Sequence, residues 1–161
     1  MRALCYRRAM ARELSPDGAA LPAWGALASH PWAYPALEVV HIAGIALLLG
    51  SLVVFELRVW ARGAELPAVA LARLALPVSA LGFVLVAASG LLMFSSQPSE
   101  LIGNRFFVAK LVLVMAAGLN AAWFHVRGGV LRLDALARAQ TVLSVGLWLG
   151  AIICGRWIAY A

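Results

Sequence analysis

The chain has 161 residues, 64% of them hydrophobic and 12% charged, with a formal net charge of +6. Its apolar residues come in long runs instead of the short alternating patches of a soluble core, which excludes an ordinary soluble domain and indicates an integral membrane protein. The positive charge lies mostly on arginines at the ends of those runs, with no basic stripe interleaved with exposed aromatics, so nucleic acid is excluded as a partner.

In chain order, residues 1–19 form an arginine-rich tail that no hydrophobic core and small-residue cleavage site follow, so it does not read as a signal peptide. Residues 20–161 are expected to form one membrane domain. Its lead-in, LPAWGALASHPWAYP, sets Trp24, Leu27, Trp32 and Tyr34 among prolines, a composition suited to a short helix lying at the headgroups. Four runs then follow, at 36–57, 74–94, 106–126 and 141–160, each near the roughly 20 apolar residues that cross about 30 Å of hydrocarbon. Lipid offers no water to open strand edges, so the spans must be helices, and an all-α four-helix bundle is the smallest assembly that buries their shared faces.

The first connection carries Arg58, Arg62 and Arg73. In the second, Pro98 and Gly103 are expected to interrupt any helix. The third has a Gly-Gly turn followed by a short amphipathic pattern with Arg127, Arg132 and Arg138. Positive-inside bias places the first and third connections in the cytoplasm and both termini outside. Small residues four apart, Ala46 and Gly50 in the first span and Gly146, Gly150 and Cys154 in the last, are expected to serve packing inside the bundle. Cys5 and Cys154 lie too far apart in character and position to suggest a disulfide.

The informative residues are the polar ones inside the spans, because an ionisable group there costs roughly 2.5 to 3.5 kcal/mol and calls for a reason. LEVVHIAGIALLLG places Glu38 and His41 three residues apart, on one side of the first helix. Antiparallel neighbours bring His41, Met93, Lys110 and Cys154 or Arg156, from four different spans, to a similar depth near the outer face. Lys110 and Arg156 have a simpler reading as side chains that snorkel to the headgroups, and Glu38 as an ion-pair partner for either. His41 is short and neutral at its ordinary pKa, which leaves a ring nitrogen for a ligand or a proton. His125, at the opposite end of the third span, is about 22 Å away along the axis and is not expected to share an iron with His41; His30, in the lead-in, is a weaker second-ligand candidate. No phosphate loop, nucleophile elbow, HExxH or cysteine cluster is present.

A first span reading EVVHIAGIALLLGSLVVFELRVW, a second ending SGLLMF, a third opening FFVAKLVLV and a fourth ending GRWIAY resemble a family of small bacterial inner-membrane proteins. That family is distantly similar to the membrane domain of the copper-resistance protein CopD and to HemJ-type protoporphyrinogen oxidases. The first implies copper handling, with His41, Met93 and Cys154 as soft or borderline ligands. The second implies haem b, with His41 as axial ligand and Lys110 as the associated lysine. The expectation is therefore a membrane redox subunit, an oxidoreductase or part of one, with His41 on the iron, Met93 or an unidentified group opposite, Lys110 and Arg156 on the propionates and Glu38 beside them. Its partner would be a quinone, a porphyrin or a periplasmic redox protein. Copper handling and a non-catalytic anchor in a larger membrane complex are the alternatives.

Overall fold

In a computed structural model of the protein, residues 30–60, 65–96 and 98–160 are described. The chain divides into two units, Met1–Tyr34 and Pro35–Ala161. Of the first, only 30–34 is described, a turn in which the Ala33 N–H donates to the His30 carbonyl at 3.0 Å. The expected interfacial helix around Trp24 and Leu27, and the charged tail, lie outside the described residues.

The described residues form six α-helices and one 3-10 turn: α1 Ala33–Val59, α2 Ala68–Ser96, α3 Pro98–Gly103, α4 Arg105–Val126, α5 Gly129–Arg132, α6 Ala135–Trp157, and the turn Ile158–Tyr160. Four elements are long and apolar enough to cross a bilayer, Ala33–Val59, Ala68–Ser96, Arg105–Val126 and Ala135–Tyr160, with mean hydropathy between 1.7 and 2.2. The protein is an all-α, multi-pass membrane protein whose outward surface of Val, Leu, Ile and Trp side chains faces lipid. The helices outrun the apolar windows. α2 begins six residues before its window and α6 starts with ALARAQ, because polar and charged residues in a terminal turn do not stop a helix from forming.

Local chemistry sets the ends. Asn104 caps α4, its Oδ1 accepting from the Phe106 N–H at 2.9 Å, and Asp134 caps α6, its Oδ1 accepting from the Ala137 N–H at 2.8 Å. Arg127 also donates to Asp134, at 3.1 Å, and this neighbour, with the Ala137 N–H, holds the Asp134 carboxyl below the usual carboxylate range. Gly128 takes the left-handed conformation (φ 68°) that closes α4 and opens α5. Pro98 and Gly103 do not abolish helix in the second connection; they bound the short helix α3. Proline is tolerated in a first helical turn, where its missing N–H would have no intrahelical partner.

Two glycines decide how α1 and α2 meet. A Cβ on Gly82 would lie 2.5 Å from the Leu48 backbone nitrogen and 2.8 Å from the Gly44 carbonyl, and one on Gly44 would lie 3.0 Å from the Gly82 carbonyl. The helices therefore touch backbone to backbone. Gly50 and Gly146, expected at packing contacts, have nothing within 4 Å of where a Cβ would stand, whereas Gly150 approaches Leu113 at 3.2 Å. From the glycine contact the antiparallel register runs both ways. Toward the start of α1, His41 meets Ser89; toward its end, Ser51 meets Ser79 at 2.8 Å, and Phe55 packs on Ala75 and Ala72. α4 closes against α1 through Phe55 and Phe124, edge to face at 6.0 Å, and against α6 along its whole length, from Phe106 on Trp157 to Asn120 on the Gln140 carbonyl.

Gly82→Ala is expected to cost at least about 2 kcal/mol, since backbone cannot yield as a side chain can, while Gly146→Ala should be neutral or stabilise by up to about 1 kcal/mol. Reversible unfolding of the two variants in mixed micelles measures the difference.

Candidate functional site

The starts of α1 and α4 and the ends of α2 and α6 share one end of the bundle, here the first face. Within it His41 is part-buried, and its Nδ1 lies 2.9 Å from Ser89 Oγ. Ser89 is buried and its hydroxyl also contacts the Leu85 carbonyl at 2.6 Å. A serine has one proton to give. Donated to Leu85, it obliges Ser89 to accept from His41, so that Nδ1 carries the imidazole proton and Nε2 keeps its lone pair; the Val86 carbonyl also lies beside the ring. The next residue, Gly90, leaves room beside the ring: a Cβ there would stand 3.3 Å from His41 Cε1.

Lys110 of α4 completes this layer. Its side chain runs along α6 at Gly155, its Nζ 3.4 Å from where a Gly155 Cβ would be. From that position its charge is within Coulombic reach of both His41 and Cys154. Cys154 is a part-buried free thiol. Met93, part-buried, stands one helical turn beyond Ser89 on the side of α2 that faces α1.

Arg156 and Glu38 stand apart from this group. Arg156 is exposed and donates to the Tyr160 hydroxyl at 2.6 Å, its guanidinium 5.0 Å above the Tyr160 ring. Glu38 is exposed and makes no ion pair among the described residues, so a pair with Lys110 or Arg156 is not formed. His30 accepts from the Trp32 N–H at 3.3 Å, and His125, at the other end of the bundle, contacts the Ala121 carbonyl at 2.8 Å.

The sequence reading did not single out Glu56. This carboxylate near the end of α1 is 2% exposed and belongs to a second polar group, at the opposite, second face. The available signal was its phase: Leu52, Phe55, Glu56 and Val59 fall on the buried side of α1, where a glutamate cannot reach water.

Comparison with known protein families, with curated proteins and with solved structures finds no match.

If Ser89 orients His41, Ser89→Ala should lower stability by about 0.6 to 2 kcal/mol, the range for a polar pair between membrane helices. Glu38→Gln should stay within about 0.5 kcal/mol of wild type, as exposed substitutions do. Unfolding midpoints and slopes in the same micelles give both values.

Proposed function

We propose that the protein is a membrane redox subunit that would hold haem b near the first face through His41 Nε2. The observation that carries this reading is the Ser89 hydrogen bond. Ligating histidines characteristically give their second N–H to a neighbouring oxygen, which fixes the tautomer and the ring plane and leaves one nitrogen for the metal. The surroundings fit in three further respects. Gly90 keeps side-chain bulk away from the ring, Lys110 brings one positive charge into an otherwise apolar layer, and Met93 offers a thioether on an adjacent turn. Arg156 fits less well, because Tyr160 engages it on the exposed side, so Lys110 is assigned to the propionates alone.

Haem b supplies a one-electron couple when bound. The chain's contribution is to fix the imidazole through Ser89, to exclude water by the α1 and α2 contact, and to place the Lys110 ammonium where anionic carboxylates are stabilised. Electrons would pass to or from a quinone, a porphyrin or a periplasmic redox protein. The resemblance to HemJ-type proteins supports this class of partner. With Arg58, Arg73, Arg127, Arg132 and Arg138 at the second face, positive-inside bias supports an inner-membrane orientation with that face in the cytoplasm and both termini in the periplasm.

Protein purified in detergent from haem-replete cells should show a Soret band and, after dithionite, a b-type α band. His41→Ala should lose both, and Arg156→Gln should keep them. A colourless protein would overturn the haem reading. If it carried stoichiometric copper, lost on Met93→Leu or Cys154→Ser, copper handling would replace it; with neither group bound, a structural anchor in a larger complex would.

A further inference from the structure

At the second face, α1, α2, α4 and α6 line a partly open cavity of about 40 Å³. Glu56, Gln140, Asn120, Thr141 and Ser144 supply its polar wall; Phe55, Leu76 and Phe124 are among its apolar residues. The polar side chains are not equally satisfied. Asn120 Nδ2 donates to the Gln140 carbonyl at 2.9 Å, and Thr141 Oγ1 accepts from Trp60 Nε1 and donates to the Arg138 carbonyl, each at 2.8 Å. Ser144 stands on the same wall as the Glu56 carboxylate. Three buried atoms are left without any partner: Glu56 Oε2 and both Nε2 and Oε1 of Gln140. Their residues are 2% and 4% exposed.

Unpartnered buried polar atoms at such depth are costly, about 1 to 3 kcal/mol for a neutral group and more for a charged one. Three of them on two residues of one cavity wall call for a common occupant. Two are acceptors and one is a donor, and exchanging N for O in the Gln140 amide leaves that balance unchanged. A bare metal cation satisfies oxygens and repels the N–H. Water supplies both donors and acceptors, and 40 Å³ exceeds the roughly 10 to 15 Å³ that one water requires.

The charge on Glu56 has no partner either. No lysine, arginine or histidine forms an ion pair with it among the described residues. Of the cavity wall, α2 offers Leu76 and α6 offers Gln140, Thr141 and Ser144, none of which titrates. α4 offers His125, whose ring is exposed and faces its own backbone at Ala121. On α1 itself Arg58 lies two residues on, with its Nε donating to the Leu66 carbonyl at 2.6 Å. A buried carboxylate so placed is neutralised most directly by a proton.

We propose that Glu56 and Gln140, with the cavity they line, form an intramembrane proton-binding site served by ordered water from the second face. His125, exposed and part of the wall, marks where the cavity reaches the edge of the bundle. In the step itself an O–H bond forms on Glu56 Oε2, the proton comes from a cavity water, and that water recovers one from solvent at the second face. No group is oxidised or reduced. The Gln140 amide acts as a positioning residue, accepting from the water through Oε1 and donating through Nε2. The site does not depend on what His41 binds.

Infrared spectroscopy of the full chain in lipid nanodiscs tests this through the carbonyl stretch of a protonated carboxylic acid. Among the other carboxylates described, Glu38, Glu65 and Glu100 are exposed and Asp134 is paired with Arg127, so among the described residues a buried acid band is assigned to Glu56. Between about pH 5 and about pH 10 the wild type should show that band, shifted in deuterium oxide, lost reversibly at the alkaline end and unaffected when sodium replaces potassium. Glu56→Gln should abolish it. Glu56→Asp, which keeps the acid, should move it, and Gln140→Leu should shift its frequency by removing the amide that orders the water. Absence of the band over the whole range, its persistence to the alkaline end, or its loss on adding sodium at fixed pH would each overturn the proposal, the last in favour of a cation site. The wild-type titration and isotope shift decide the matter even if a variant fails to fold.

Discussion

The backbone contact between α1 and α2 at Gly44 and Gly82 governs the rest of the structure. In lipid there is little hydrophobic force between helices, so association depends on close van der Waals approach and on polar pairs. A contact with the Gly82 Cβ position 2.5 Å from a backbone nitrogen leaves almost no freedom to slide. It therefore sets the register for everything on either side. His41 arrives opposite Ser89 toward one face, and Ser51 opposite Ser79 and Phe55 opposite Ala75 toward the other. A shift of one residue would turn His41 by about 100° around α1 and separate it from its serine.

Two polar layers result, and their difference is chemical. At the first face several polar groups are paired: His41 with Ser89, Arg156 with Tyr160, and Asn104, which caps α4, also donating to the Ile158 carbonyl at 3.2 Å. What remains free there is one imidazole nitrogen beside a lysine, an arrangement able to bind a ligand from outside. At the second face the free groups are buried beside a small, partly open cavity, an arrangement able to hold water and a proton. A four-helix bundle can host both because its antiparallel topology brings four helix ends to each face, and a residue within two turns of an end is near an interface yet shielded by three neighbours.

How much of this was legible in the residues follows from which signals are one-dimensional. The four spans were, because hydrophobic length alone identifies a crossing. Direction around a helix was less accessible. Arg156 and Cys154 have nearly the same depth, but they are two residues apart, about 200° around α6, and Arg156 turns out to Tyr160. Likewise Ala46 and Gly50 carry the small-residue spacing, while Gly44 and Gly82 make the contact, since the crossing point depends on both helices at once. Glu56 was passed over because it sits three residues from the end of α1, where a glutamate ordinarily meets water. Ser89, one of many hydroxyls in apolar helices, became informative only once His41 was seen beside it.

The central claim is that His41 Nε2 is a ligand nitrogen. Titration of haemin into the purified wild type and into His41→Gly, each with and without added imidazole and followed at the Soret band, tests it most directly. Saturable equimolar binding by the wild type, its loss in the variant and its return with imidazole is the result expected, because free imidazole can occupy the space the side chain leaves. Binding that the variant retains without imidazole, or no binding by the wild type, would contradict it.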